Sequence, residues 1–361
     1  MKENRGLGRK TVSHANATDR KSGTTIKEVA EQAGVSRKTV SRVINQEPYV
    51  AETTLKRVQH AIAELKYVPN VRAQRLRHGR SYMLAAAYSM APPTGTWYLD
   101  VLQSAVMKAT EFGYQVVLHP CDLKLAEESQ KVVRLVDQSS VDGLMLLPPY
   151  GGKSEFTDML ARRAIPFVQI EPPSLDGMSI SVSVTNKQGA FDMTEYLISI
   201  GHRMIGFIKG APYHRVTEER FAGYREALER DAIPFHPEYV MQGNFSFESG
   251  IVNGRLLLKM ELRPTAIFAS NDEMAAGVLQ AAYQSGLTVP DDVSVAGYED
   301  YSWARRLSPP LTSVRGQISE MAGMATELLI RLVEGADVEE PVHHEVATTL
   351  VVRESTGPPR S

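Results

Sequence analysis

From Arg80 onward, short apolar runs alternate with amphipathic stretches, and few folds accept that rhythm. The runs Met83–Tyr88, Gln115–His119, Gly143–Leu147, Phe167–Ile170, Ile205–Ile208, Ala266–Ala269 and Val293–Ala296 are largely apolar rather than alternating with polar residues. Strands of that kind are buried on both faces, as in a parallel sheet covered by helices, and the helical stretches between them supply the cover. So many strand–helix units, spread over some 270 residues, exceed one ordinary open sheet, so a body of two α/β lobes is expected over 81–361. Pro172–Ser183 lacks helical periodicity and is rich in Pro, Ser and Gly, which places a passage between lobes there, near 172–186.

Charge divides the chain at the same point. Residues 1–80 hold 17 Lys and Arg against 7 Asp and Glu, a net of +10, while the remaining residues hold 23 against 35, a net of −12. A basic head on an acidic body implies a polyanionic partner for the head alone. Residues 1–22 are polar and basic and are expected to form a disordered tail rather than an export signal. No run approaches the roughly 20 apolar residues that span a bilayer, and the single Cys121 forbids an intramolecular disulfide. A cytoplasmic, nucleoid-associated location with no membrane partner fits these features.

Three short helices are legible in the head. Ile26, Val29, Ala30 and Ala33 recur at helical spacing behind Thr25, which Glu28 answers three residues on. Gly34 allows a tight turn, Ser36 can cap a second helix, and Val40, Val43 and Ile44 form that helix's inner face. A third helix, about Glu52–Leu65, ends before Tyr67-Val68-Pro69. The arrangement predicts a helix-turn-helix unit over 23–68, with Arg37, Lys38, Ser41 and Arg42 facing outward. An Arg at the front of such a helix can pair bidentately with guanine.

TIKEVAEQAGVSRKTVSRVIN followed by AIAELKYVPNVRAQRL closely resembles the head of the lac repressor/galactose repressor (LacI/GalR) family. The resemblance implies that Arg37, Lys38 and Arg42 read bases of operator double-stranded DNA, with Ser36, Thr39, Asn45 and Tyr49 near phosphates. Residues 69–80 then correspond to a hinge helix or linker. Its Ala73 and Leu76 belong to the DNA contact surface, and Leu76 corresponds to a minor-groove wedge flanked by Arg72, Arg75 and Arg77. Ala51 departs from the family's Ser cap, at a cost of about 1 kcal/mol.

NKQGAFDMTEYLISIGHRMIGFIKG, RFAGY, TAIFASNDEMAAG, VPDDVSVAGYED, PPLTSV and LVVREST extend the resemblance through the family's sensing domain, which is periplasmic-binding-protein-like. Further lobe passages are then implied near 311–318 and 340–347, and a small-molecule effector, a sugar, between the lobes. Sugar sites combine planar polar groups for hydroxyls with an aromatic face for the ring. By resemblance Trp97, Tyr98, Glu171, Arg220, Asn271, Tyr298 and Glu299 line that site, with Trp303 as a further candidate. Glu171 and Glu299 stand where the family usually has Asp. Asp272 is placed to cap the helix that follows it.

Nothing in the pattern builds a catalyst, so no catalytic residue, metal ligand or cofactor is expected. There is no metal-spaced His/Cys set and no GxxxxGK[ST], HPCD around Cys121 lacks an identifiable base, and His343-His344 reads as a strand edge. The chain is thus read as a homodimeric, sugar-responsive repressor of carbohydrate-utilisation genes, since one short helix alone reads too few bases. The competing reading is a sugar-binding transport receptor or sugar enzyme with an accidental basic head.

Overall fold

The structure is a computed structural model that describes residues 24–44, 50–67, 80–89, 96–120, 126–138, 140–152, 154–175, 177, 179–212, 214–336 and 343–360. Two compact units divide at Arg80. The expected tail, most of the hinge segment, Asn45, Tyr49, Ala73, Leu76 and Cys121 lie outside the described residues.

The small unit holds α1 (Ile26–Ala33), α2 (Arg37–Ile44) and α3 (Glu52–Glu64). Thr25 and Glu28 form the expected capping box, and Gly34 closes α1 at φ 62°, a conformation glycine adopts without Cβ cost. Ser36 Oγ accepts from Thr39 N at 3.1 Å, so α2 starts on a capped turn. Ala51 makes no side-chain cap bond, and α3 begins on backbone bonds alone. Val29, Ala33, Val40, Val43, Val58 and Ala61 meet in one buried cluster. Each fully buried Val there contributes about 1.5–3 kcal/mol.

In the large unit β1 (Met83–Tyr88), α4 (Thr96–Glu111), β2 (Gln115–Pro120), α5 (Ala126–Asp137), β3 (Gly143–Leu146), α6 (Glu155–Arg162), β4 (Phe167–Ile170) and β5 (Ser181–Val184) form the first lobe. There follow α7 (Asn186–Ser199), β6 (Ile205–Lys209), α8 (Arg215–Arg230), β7 (Val240–Gln242), α9 (Phe247–Leu258), β8 (Ala266–Ala269), α10 (Asp272–Gln284), β9 (Ser294–Glu299) and β10 (Thr312–Arg315) of the second. The chain then returns through α11 (Ile318–Val333) and β11 (His343–Val346) to the first lobe and ends with β12 (Thr349–Val351) in the second. The sheets run β11-β5-β4-β3-β1-β2 and β12-β10-β9-β8-β6-β7, parallel throughout except where β12 meets β10.

Three segments connect the lobes: 184–186, 315–318 and 346–349. Two of them are tied together, since Thr348 N donates to Thr185 Oγ1 at 3.0 Å and the two Thr hydroxyls lie 3.1 Å apart. The passage expected near 172–186 occupies only the last residues of that range, since Pro172–Ser183 contains the start of β5, paired with β4 and β11. Its Ser residues resemble a loop, yet Ser181 and Ser183 are buried because partners reach their hydroxyls. Gly143 lets α11 press on β3: a Cβ there would sit 2.9 Å from both Leu329 and Val333. Among the described residues no helix is long and apolar enough to cross a membrane.

Candidate ligand cleft and nucleic-acid interface

Parallel strands deliver their C-terminal ends to one edge of each sheet, which is where open α/β sheets gather ligands. At those edges the backbone turns sharply. Glu171 follows β4 at φ 44°, and Glu299 closes β9 at φ 105°, followed by Asp300 at 53°. A left-handed turn costs a non-glycine residue about 1–2 kcal/mol, so these positions persist only because their side chains are firmly held.

Arg220, on the inner face of α8, is the centre of the cluster. Its Nε donates to Asn186 Oδ1 at 2.9 Å, and its Nη1 donates to Ser270 O at 2.6 Å and to Glu299 Oε1 at 3.3 Å. The guanidinium lies over the Tyr298 ring, 3.8 Å from its centroid. Burial opposes its charge, but Glu299, Tyr298 and Glu171 outweigh burial and hold Arg220 more basic than a free guanidinium. Glu299 receives Tyr301's hydroxyl on its other oxygen. Burial pushes the Glu299 carboxyl above the usual carboxylate range, against the opposing pull of Arg220 and Tyr301.

Glu171 belongs to the first lobe and is held from both. Its Oε1 accepts from Val184 N at 3.0 Å, and Asn186 Nδ2 lies 3.1 and 3.2 Å from its two oxygens. Arg215, at the start of α8, adds Nη2 at 3.3 Å, donates Nε to Pro172 O at 3.1 Å, and reaches Ser183 and Glu219. Towards the other end of the cleft, Trp303 Nε1 donates to Thr96 Oγ1 at 3.4 Å, and Thr96 donates to Glu273 at 3.3 Å. A belt of contacts thus runs from Thr96 through Trp303, Tyr301, Glu299, Arg220 and Asn186 to Glu171 and Arg215, joining first lobe to second and back.

Of the residues named from sequence, Arg220, Tyr298 and Glu299 meet directly, and Glu171 joins them through Asn186. Trp97 and Tyr98 open α4 and meet edge to face at 5.2 Å, but Tyr98's hydroxyl is committed to Pro148 O and both rings pack on the first-lobe core. Asn271 is the cap of α10: its Oδ1 accepts from Met274 N at 3.0 Å and its Nδ2 donates to Phe245 O at 3.0 Å. The sequence pattern places that cap on Asp272 instead. Asn271 holds the extended backbone a cap needs, whereas Asp272 already lies in the helix and is turned into the core. There it accepts from Ser313 Oγ at 2.6 Å and Tyr301 N at 2.8 Å, and burial raises its pKa well above the ordinary value. Asn186, Arg215 and Tyr301 were not singled out from sequence. Their signal was their position, immediately after a lobe passage or at the first turn beyond a strand end. His343 and His344 lie on edge strand β11, half-buried, with His343 Nδ1 2.9 Å from Ser181 Oγ.

On the small unit α2 buries Val40 and Val43 and leaves Ser36, Arg37, Lys38 and Arg42 exposed, with Thr39 half-buried. Long cationic donors therefore stand at its front, where the second helix of a helix-turn-helix meets base edges.

The model for bacterial regulatory proteins of the lacI family matches residues 25–70, and that for a periplasmic binding protein-like domain matches 194–356. The HTH-type transcriptional repressor PurR of Vibrio campbellii is 31% identical over 331 residues, 91% of this chain and 97% of the relative. A solved complex of the transcriptional regulator CelR with cellobiose is 32% identical with a TM-score of 0.69, covering 92% of this chain and 99% of that one. The lac repressor dimer bound to operator and the anti-inducer ONPF is 28% identical with a TM-score of 0.75, covering 93% and 100%.

Proposed function

The chain belongs to the lacI family of bacterial regulatory proteins, and on that premise we propose that the belted cleft is its effector site and α2 its base-reading helix. The protein is a ligand-responsive DNA-binding transcriptional repressor. Arg37, Lys38 and Arg42 are assigned to base edges and Ser36 and Thr39 to phosphates, while Asn45, Tyr49, Ala73 and Leu76 keep the roles the family resemblance implies. The protein works as a dimer, as the operator-bound lac repressor does, so two α2 helices address two half-sites.

The effector is a carbohydrate. The observation that carries this is the burial of Arg220, Glu299, Tyr298 and Asn186 in one hydrogen-bonded cluster at the strand ends, with the Arg220 guanidinium stacked on the Tyr298 ring. Planar donors and acceptors held rigidly suit sugar hydroxyls, and the CelR relative holds cellobiose. Ligand would shift the relative populations of lobe arrangements, and a reversal from 99:1 to 1:99 needs a preference of about 5.5 kcal/mol. Titration of operator DNA with the protein and its Arg220→Ala variant, with and without a panel of sugars, tests this. The parent should respond to one sugar and the variant should not. If no sugar alters the parent's affinity, or Arg220→Ala keeps the full response, the assignment fails.

A further inference from the structure

We infer that the cleft admits an uncharged polyhydroxylated ligand and rejects the same ligand carrying a phosphate ester. The inference rests on the effector-site reading above and concerns the charge of what enters. A phosphorylated sugar would bring up to two negative charges, and a site built for it presents cationic or N–H donors left over for the anion. Here each cation in the belt already has a carboxylate. Arg220 is 3.3 Å from Glu299, and Arg215 is 3.3 Å from Glu171, with all four side chains at most 12% exposed.

Around the belt the three cations Lys209, Arg315 and Arg353 face the three carboxylates Glu218, Asp300 and Glu219, so these groups add no net positive charge. Lys209 is paired with Glu218 at 2.7 Å, and Asp300 takes both Arg315 at 2.8 Å and Arg353 at 2.6 Å. His214, 5.9 Å from the Phe245 ring, has its pKa lowered by burial and by Arg220, which disfavours its charged form. Glu219 stands beside Arg215 as a further acceptor. A phosphate would have to displace Glu171 or Glu299 from its arginine, leaving a buried carboxylate unpaired, or lie beside them and be repelled. Either is costly where water is excluded. A hydroxyl meets no such conflict, because it can donate to a carboxylate oxygen and accept from a guanidinium at once.

The test is calorimetric titration of the full-length protein with a panel of neutral mono- and disaccharides, each paired with its phosphate ester, such as cellobiose with cellobiose 6′-phosphate and glucose with glucose 6-phosphate. For whichever pair binds, the neutral member should bind at least tenfold more tightly. The Glu299→Gln variant, which leaves Arg220 uncompensated, and the Glu171→Gln, Glu219→Gln double variant, which does the same for Arg215, should each shift that ratio towards the ester by tenfold or more, a readout that general weakening of the fold does not move. Equal or tighter binding of the phosphate ester, or an unchanged ratio in both variants, overturns the inference while leaving the carbohydrate reading intact. Binding by no member of any pair overturns the carbohydrate reading itself, and this one with it.

Discussion

Removing the Arg215 side chain should weaken the large unit far more than loss of a surface cation would. Arg215 extends from α8 of the second lobe to three first-lobe groups: Glu171 Oε2 at 3.3 Å, Pro172 O at 3.1 Å and the Ser183 hydroxyl. At that separation the attraction to Glu171 is about 5 kcal/mol for an effective dielectric near 20. Desolvation of the two ions offsets much of this, since Arg215 and Glu171 are only 12% and 4% exposed. Truncating one partner of a buried pair nevertheless costs about 3–5 kcal/mol, because the other charge stays buried. Glu171 keeps Val184 N and Asn186 Nδ2, so Arg215→Ala should fall at the lower end, about 3 kcal/mol. The assay is urea unfolding followed by tryptophan fluorescence, which reports on the large unit alone because the two tryptophans are Trp97 and Trp303. The Arg215→Ala, Glu171→Gln double variant should lose about 1–3 kcal/mol less than the sum of the singles. A loss below about 1 kcal/mol for Arg215→Ala, or strict additivity, would refute the idea that this contact ties the lobes together.

Gly189→Ala should lower the unfolding midpoint although alanine favours helix, because its Cβ would lie 2.6 Å from Tyr298 Oη and 2.7 Å from Thr348 Oγ1; overpacking of about 1–3 kcal/mol exceeds the propensity gain, and a raised midpoint would contradict this. Burial lowers the pKa of His202 below 6.5, so the unfolded chain binds more protons as pH falls through that value and stability drops from pH 7 towards 5. The Glu299 carboxyl, raised by burial, acts in the opposite sense, so the check is the difference between parent and His202→Gln: the variant should lose less stability between about pH 7.5 and 5.5. Arg37→Ala should flatten base preference at one half-site position by about 1–3 kcal/mol; competition with every single-base operator variant measures it, and an unaltered preference profile would exclude direct readout by Arg37.

The head could be read almost entirely from its sequence. Its signals are local: Thr25 and Glu28 sit three residues apart, Gly34 permits its own turn, and Val40 and Val43 share one face of an eight-residue helix. The two-lobed α/β body was also legible, because strands such as Leu84–Ala87 and Ala266–Ala269 are buried on both faces and stay apolar throughout. Strand β5 was not, since SVSV looks like a loop until His343 and Arg215 supply partners for its serines from 162 and 32 residues away. The same holds in the cleft. Sequence named Glu171, Arg220, Tyr298 and Glu299, but that Asn186 joins Glu171 to Arg220, that Arg215 crosses between lobes, and that Asn271 rather than Asp272 caps α10 were decided by tertiary structure. Whether a buried polar group binds ligand or braces the fold depends on which hydrogen-bond partners surround it, and those partners come from distant parts of the chain.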